Sequence, residues 1–316
     1  MSAPLIVLPS VSLMPVALTV AAGLALGGIA LALASALPAT SHKARPIWPV
    51  FATEVVIVAV AVLPFVAGGI LLDLALAALS VRIGFEAVRV ALLRLEAPDA
   101  GKRDLFRKWV FPVVSGVALA LSGFVAAAVP FTGLAAGGAL LAGMAVMLRR
   151  RLGAADRPLA IFLEVLVFPA VPLVLFVALA QEGGNAGLLL LAFLLVETYD
   201  SYALFGGKLI GRHPAFPVLS PKKTVEGLAV GGAMLAATAG LVGPLIFGWS
   251  LVASLLAAGG IAVAAVGGDL AGSRLKRASG VKDYPCVLPG QGGVLDIADA
   301  WLIAGPALVI LARLAG

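Results

Sequence analysis

Between residues 267 and 299 an apolar chain carries the stretch GGDLAGSRLKRASGVKDYPCVLPGQGGVLDIAD, with two lysines, two arginines, four aspartates and a cluster of glycines. Asp269 falls where one apolar segment ends and Asp296 where the next begins. Two carboxylates brought together near a low-dielectric boundary repel each other unless a cation lies between them. A hard divalent ion with oxygen ligands, most simply Mg²⁺, resolves that conflict. Lys276, Arg277 and Lys282 add positive charge, and PGQGG at 289–293 adds exposed backbone N–H groups. Carboxylates for a metal, several cations and a glycine-rich turn together equip a site for a nucleotide polyphosphate. The plainer alternative is a basic loop that orients the chain and pairs its charges locally. Glycine clusters and aspartates at the ends of spans contribute nothing to orientation, so the whole pattern favours chemistry.

A second constellation precedes it. DSYALFGGKLIGRH runs from Asp200 to His213, and SPKKTVEG from Ser220 to Gly227. Asp200 and Glu197 sit late in an apolar segment, where an uncompensated charge is expensive, so both are functional candidates. Lys222 and Lys223 follow Pro221, and Thr224 with Glu226 has the pattern of a helix start. A helix start bearing hydroxyls and two lysines suits phosphate oxygens, although capping plus an orientation signal gives the same pattern. His213 reads as a loop residue. Glu54, Asp73 and Glu164 read as polar contacts between helices and stay outside the site.

The elements that must position these residues are membrane spans. The chain has 316 residues, 62% of them hydrophobic and 12% charged, with a mean hydropathy of +1.12. A water-soluble protein of this length has too few polar groups here to cover its surface. Ten apolar segments can be drawn at 14–37, 48–66, 67–81, 109–130, 132–148, 159–181, 186–206, 226–248, 250–268 and 298–315; the second and third are short enough to form one helical hairpin. The expected fold is therefore an all-α polytopic membrane protein of about ten transmembrane helices. If spans alternate sides, the loops 38–47, 82–108, 149–158, 207–225 and 269–297 share one side and hold 21 of the 22 Lys and Arg residues. That asymmetry places these loops, and with them the active site, at the cytoplasmic face. The net charge of +6 is explained the same way, without nucleic acid. The first 40 residues lack a basic leader and a clear cleavage site, and read as a retained span. The lone Cys286 excludes an intramolecular disulfide and reads as a small filler. Residues 82–96, RIGFEAVRVALLRLE, place Arg82, Glu86 and Arg89 on one helical face. A helix in the headgroup plane and a solvated face at the end of a span are equally compatible with that pattern.

With the motifs laid out, the chain resembles the phosphatidate cytidylyltransferases, the CDP-diacylglycerol synthases. Their signature reads S-x-x-K-R-x4-K-D followed by P-G-H-G-G-x-x-D-R-x-D. Ser273, Lys276, Arg277, Lys282 and Asp283 match its first half, and Pro289, Gly290, Gly292, Gly293, Asp296 and Asp299 most of its second. SPKKTVEG is similar to the family's S-P-K-K-T-x-E-G, and Asp200 to Lys208 resembles its D-T-x-A-Y-x-x-G-R. The likeness is close over roughly 196–300. Gln291 stands in place of the usual His, Ile297 of Arg and Leu204 of Tyr, while Tyr284 and Pro285 follow Lys-Asp where a small residue is common. Losing the Arg removes a fixed charge and five donors.

The resemblance implies transfer of a cytidylyl group from CTP to phosphatidate, in a multi-pass protein of the bacterial inner membrane. It implies N-terminal helices over 1–158, with an interfacial segment at 82–108, and a catalytic region over 159–316. Asp269, Asp296 and Asp299 are expected as ligands of Mg²⁺, with a monovalent ion as a candidate companion. Lys276, Arg277, Lys282 and Asp283 complete the expected catalytic set. Asp200, Lys208, Ser220, Lys222, Lys223, Thr224, Ser273, Gly290, Gly292 and Gly293 are expected to bind substrate. The expected partners are CTP, phosphatidate and the lipid bilayer, with a homodimer among the allowed assemblies. Rival readings are a CTP-dependent polyprenol-type kinase, a transporter whose intramembrane acids line an ion path, and an inactive relative.

Overall fold

The computed structural model describes residues 11–38, 41–95, 106–129, 157–287 and 292–315. Eleven α-helices lie among them: α1 (Leu13–Ala36), α2 (Ser41–Ala44), α3 (Trp48–Ala67), α4 (Gly69–Leu92), α5 (Phe111–Ala128), α6 (Arg157–Val165), α7 (Val171–Gln181), α8 (Ala186–Ile210), α9 (Val225–Val242), α10 (Leu251–Ala278) and α11 (Val294–Ala315). Short 3₁₀ or π turns extend several of them, so that eight helical runs are long and apolar enough to cross a membrane. In hydrocarbon every backbone N–H and C=O must be satisfied within the segment, which selects helices. The outward faces are correspondingly apolar, and α1 presents Leu18, Leu26, Ile29 and Leu33 exposed along its length.

The segment 132–148, drawn as a span, lies outside the described residues. Two findings revise the sequence expectations. Residues 82–92 are the second half of α4 and not a separate element. Ile83, Glu86, Ala87, Val88 and Val90–Leu92 are buried there, so neither a headgroup-plane helix nor a solvated face describes them. Glu86 is fully buried and meets the start of α11, while Arg82 and Arg89 are half-buried and reach the backbone of Pro285 and Lys108. Finally, a small antiparallel hairpin, β1 (Pro214–Phe216) with β2 (Ser220–Thr224), interrupts the helical architecture between α8 and α9.

Helices approach closely where glycines remove the side chain, the usual device when lipid supplies no hydrophobic drive between helices. At the α4–α5 crossing a Cβ on Gly116 would lie 2.3 Å from the Val81 carbonyl oxygen, and one on Gly84 2.6 Å from the Gly116 Cα. At the α10–α11 crossing a Cβ on Gly268 would lie 2.4 Å from the Asp299 carbonyl oxygen. Trp301 of α11 fastens that helix to three others. Its ring stands 4.8 Å from Phe176, 5.0 Å from Phe193 and 6.1 Å from Phe65, and its indole N–H donates to the Leu189 carbonyl at 2.7 Å.

Polar contacts define two ends of the bundle. At one end Arg89 donates to the Lys108 carbonyl at 2.8 Å and stacks on Trp109. At the same end Arg94 of the turn after α4 reaches Ser279, the Leu275 carbonyl and Glu164, tying it to α6 and the end of α10. At the other end Asp73 accepts from Gln181 at 2.7 Å and Arg313 pairs with Glu182. The motif-bearing ends of α8, α9, α10 and α11 all lie at the first.

Gly116→Ala places its methyl group against backbone that cannot swing away, and overpacking of this kind costs roughly 1–3 kcal/mol. Gly23→Ala, with nothing within 4 Å of its added Cβ, serves as the matched control. Thermal unfolding in detergent is expected to show a lowered midpoint for the first and an unchanged or raised midpoint for the second.

Candidate active site

Asp200 and Lys208 project from the last turns of α8, and the hairpin folds β2 back beside them. A cleft of about 520 Å³ results, lined by Asp200, Lys208, Ser220, Lys222, Lys223, Thr224 and Asp269, with Ala203, Leu204 and Leu228 as its apolar wall. The local sequence explains its shape. Thr224 Oγ1 caps α9 by accepting from the Gly227 N–H at 3.1 Å, a bond typical of helix starts. Glu226 accepts from the backbone N–H groups of Arg212 and His213 at 3.0 and 3.2 Å and pairs with the His213 ring, fixing the turn that leads into β1. Gly207 and Gly211 leave room for the Thr224 side chain, within 3.2 Å and 2.7 Å of where a Cβ would stand. Across the cleft Lys223 Nζ lies 3.0 Å from Asp269 Oδ2. That oxygen is buried and receives no well-directed hydrogen bond.

A second group lies where α10 and α11 cross. The helix α10 continues through residue 278, ten residues beyond the end expected for that span, so Asp269, Ser273 and Lys276 stand on one helical face and not on a loop. Lys276, nearly buried, donates to Asp296 Oδ1 at 2.5 Å. Asp296 Oδ2 accepts from the N–H groups of Tyr284 at 2.9 Å and Gly293 at 2.8 Å. Gly292 has φ +78, and a Cβ there would lie 2.4 Å from Asp296 Oδ2, so both the backbone region and the space require glycine. The Tyr284 hydroxyl donates to the Gly272 carbonyl at 3.2 Å, and its ring lies 5.3 Å from Lys276 Nζ. Burial, followed by the charges of Asp299, Asp296 and Glu86, pushes the Tyr284 phenol far above its ordinary range, which keeps it a donor.

Asp299 joins the two groups. It is 4% exposed, and Asp269, Lys276 and Lys223 all lie close enough to act on its charge. Asp269 and Asp296 therefore belong to the same end of the bundle. In this structure, however, each is neutralised by a lysine, Asp269 by Lys223 and Asp296 by Lys276, so the repulsion expected from the sequence does not arise.

The other expected site residues are placed unevenly. Ser273 is buried beside Lys276. Arg277 points its guanidinium back to the Val281 carbonyl at 3.0 Å, closing the turn after α10. Lys282 and Asp283 are exposed. Gly293 presents its N–H to Asp296 and Gly292 its carbonyl to the Val287 N–H at 2.9 Å, so these glycines serve the protein's own carboxylate. Gly290, with Pro289 and Gln291, lies outside the described residues.

Two groups escaped the sequence reading of the site. The Glu86 carboxylate, fully buried, accepts from the N–H groups of Val294 at 2.9 Å and Leu295 at 2.8 Å. Arg82 binds Glu86 at 2.6 Å and the Pro285 carbonyl at 2.8 Å. Their i, i+4 spacing within an apolar run is the available signal, and it is the same on a solvated helix face. Tyr284 was visible only as a departure from the family pattern.

An oxygen-only donor set suits a hard cation, and the buried, poorly satisfied Oδ2 of Asp269 fits an oxygen reserved for one. Asp296 fits less well, since both of its oxygens already accept hydrogen bonds. Among the described residues no three metal-ligating side chains converge, so an ion here would take phosphate oxygens of a substrate as further ligands.

The chain is similar in sequence to known proteins. The profile of the cytidylyltransferase family matches residues 49–315. A phosphatidate cytidylyltransferase of Staphylococcus saprophyticus is 41% identical over 125 residues, 39% of this chain and 48% of that protein. One from Helicobacter pylori is 37% identical over 145 residues, 46% of this chain and 54% of that protein. The chain thus spans about half the length of the curated relatives it matches. With the matched profile covering most of its length, helices α4 to α11 included, the chain belongs to the cytidylyltransferase family.

Proposed function

We propose that the protein is a phosphatidate cytidylyltransferase, converting CTP and phosphatidate to CDP-diacylglycerol and pyrophosphate. The observation that carries this reading is the cleft at the end of the bundle, where three lysines, two hydroxyls and two aspartates from α8, β2 and α10 face one space. Cations grouped at the end of membrane-spanning helices suit a lipid whose phosphate projects from the bilayer and a soluble polyphosphate that meets it there. The positive-loop asymmetry supports a cytoplasmic location for this end.

In the proposed reaction a phosphate oxygen of phosphatidate forms the new bond to the α-phosphorus of CTP. The bond from that phosphorus to the bridging oxygen of the β-phosphate breaks, and its electron pair leaves with pyrophosphate. The nucleophile is already anionic, so no strong base is needed, and positioning with charge neutralisation supplies the acceleration. Lys222 and Lys223 would hold phosphate oxygens in the cleft, and Lys276 would meet negative charge from the α10–α11 side. Asp269 would hold Mg²⁺, with an Asp296 oxygen available to it once Lys276 turned to phosphate, and the ion would supply positive charge against the triphosphate. Lys223 and Lys276 would then exchange carboxylate for phosphate partners.

Purified protein supplied with phosphatidate, Mg²⁺ and CTP labelled at the α-phosphorus is expected to yield labelled lipid, while CTP labelled at the γ-phosphorus yields labelled pyrophosphate only. Label passing from the γ-position into lipid would instead establish a CTP-dependent lipid kinase, and no transfer from either position would remove the proposal. Asp269→Asn is expected to lower kcat for CDP-lipid formation by roughly 10²–10³-fold, the loss typical of removing one group that stabilises transition-state charge. Its elution volume and melting midpoint in detergent should stay near those of the parent protein, and full activity would remove Asp269 from the site.

A further inference from the structure

We infer that Glu86, held by Arg82, is a positioning residue that sets the location of Asp296 in the site. This inference rests on reading Asp296 as part of that site. The geometry is specific. Helix α11 begins with N–H groups that no earlier turn can satisfy, and the Glu86 carboxylate, from a helix 208 residues earlier in the chain, accepts those of Val294 and Leu295. Asp296 is the next residue. Its Oδ2 receives the Gly293 N–H and the Tyr284 N–H, so the same short segment lies between two carboxylates.

The space around Gly293 shows how tightly the two are coupled. A Cβ there would stand 2.5 Å from Glu86 Oε2 and 2.6 Å from the Tyr284 Cβ. Arg82 extends the clamp to the approaching loop by binding the Pro285 carbonyl next to Tyr284. Two oxygens are needed, one for each amide. Glutamine offers one oxygen and turns an NH₂ toward the other N–H, whereas aspartate is shorter by one methylene. Replacing Glu86 therefore rotates the start of α11 and carries Asp296 away from Lys276, without touching the cleft that binds substrate.

The test combines kinetics with a probe that needs no turnover. Misplacing a reacting group by about 1 Å costs on the order of 10²-fold in rate. Glu86→Gln and Glu86→Asp are thus expected to lower kcat by about 10- to 100-fold while KM for CTP changes by less than about threefold, the signature of an interaction expressed in the transition state. In an Asp296→Glu background, where Asp296 is already displaced, the same Glu86→Asp change is expected to cost less than about threefold. A merely structural role would multiply both losses independently. The single cysteine of the chain, Cys286, is exposed in the clamped loop. A nitroxide attached there should become more mobile in Glu86→Gln and in Arg82→Lys. Should Glu86→Gln fail to fold, Arg82→Lys keeps both amide bonds, and roughly a tenfold loss of kcat with a mobile label is expected. Folded variants with parental kcat and an unchanged spin-label spectrum would overturn the inference. If the parent protein shows no cytidylyl transfer, the label mobility still decides whether Glu86 holds the loop, so failure of the enzymatic reading is told apart from failure of this one.

Discussion

The carboxylate of Glu86 and the first amides of α11 form the contact on which the arrangement of the site depends. A charge with no solvent contact is tolerated only when its partners replace water. Here two backbone N–H groups and one guanidinium do so. Arg82 is itself 34% exposed, so its loss costs less than the about 3–5 kcal/mol typical of a fully buried pair. The same contact solves a problem of α11, whose start faces protein and whose orphan amides need acceptors. Where α11 begins then decides where Asp296 and Asp299 stand, and the Gly268 crossing decides how closely they face α10.

Charge balance follows from that placement. Asp269 and Asp296 each pair with a lysine, and the buried Asp299 faces α10 at Gly272, where an added Cβ would lie 2.8 Å from its Oδ2. Such pairs are exchangeable in kind, since an ammonium group can trade a carboxylate oxygen for a phosphate oxygen with little change in its own surroundings. Tyr284 contributes rigidity. Its backbone N–H holds Asp296, its hydroxyl holds α10 at Gly272, and its ring faces Lys276. A residue that departs from the family pattern thus occupies the centre of the crossing.

Much of this was legible in the sequence, for reasons that can be stated. Polar residues in a chain this apolar are few, so those of 196–300 stood out, and seven of them do line one cleft. Thr224 read as a helix start because its hydroxyl and the following turn carry the local signal of a cap, and the structure shows that bond. The extent of α10 was not legible. The density of charge in GDLAGSRLKR suggested a loop, although Asp269, Ser273 and Lys276 recur with the period of a helix. The hairpin was hidden by its prolines, which mask the alternation that marks strands. Glu86 was out of reach for a different reason. An Arg and a Glu four residues apart have the same local appearance on a solvated face and in a buried clamp, and the partner that distinguishes them lies at Val294 and Leu295. Only the packing of α4 against α11 contains that information.

Hydrogen exchange resolved at single amides, on the protein in nanodiscs, tests the capping contact most directly. The account predicts that Val294 and Leu295 exchange slowly in the parent protein, far more slowly than the neighbouring loop amides at 282 and 283, and that Glu86→Gln releases both. Exchange of Val294 and Leu295 at the rate of the open loop in the parent protein would contradict it.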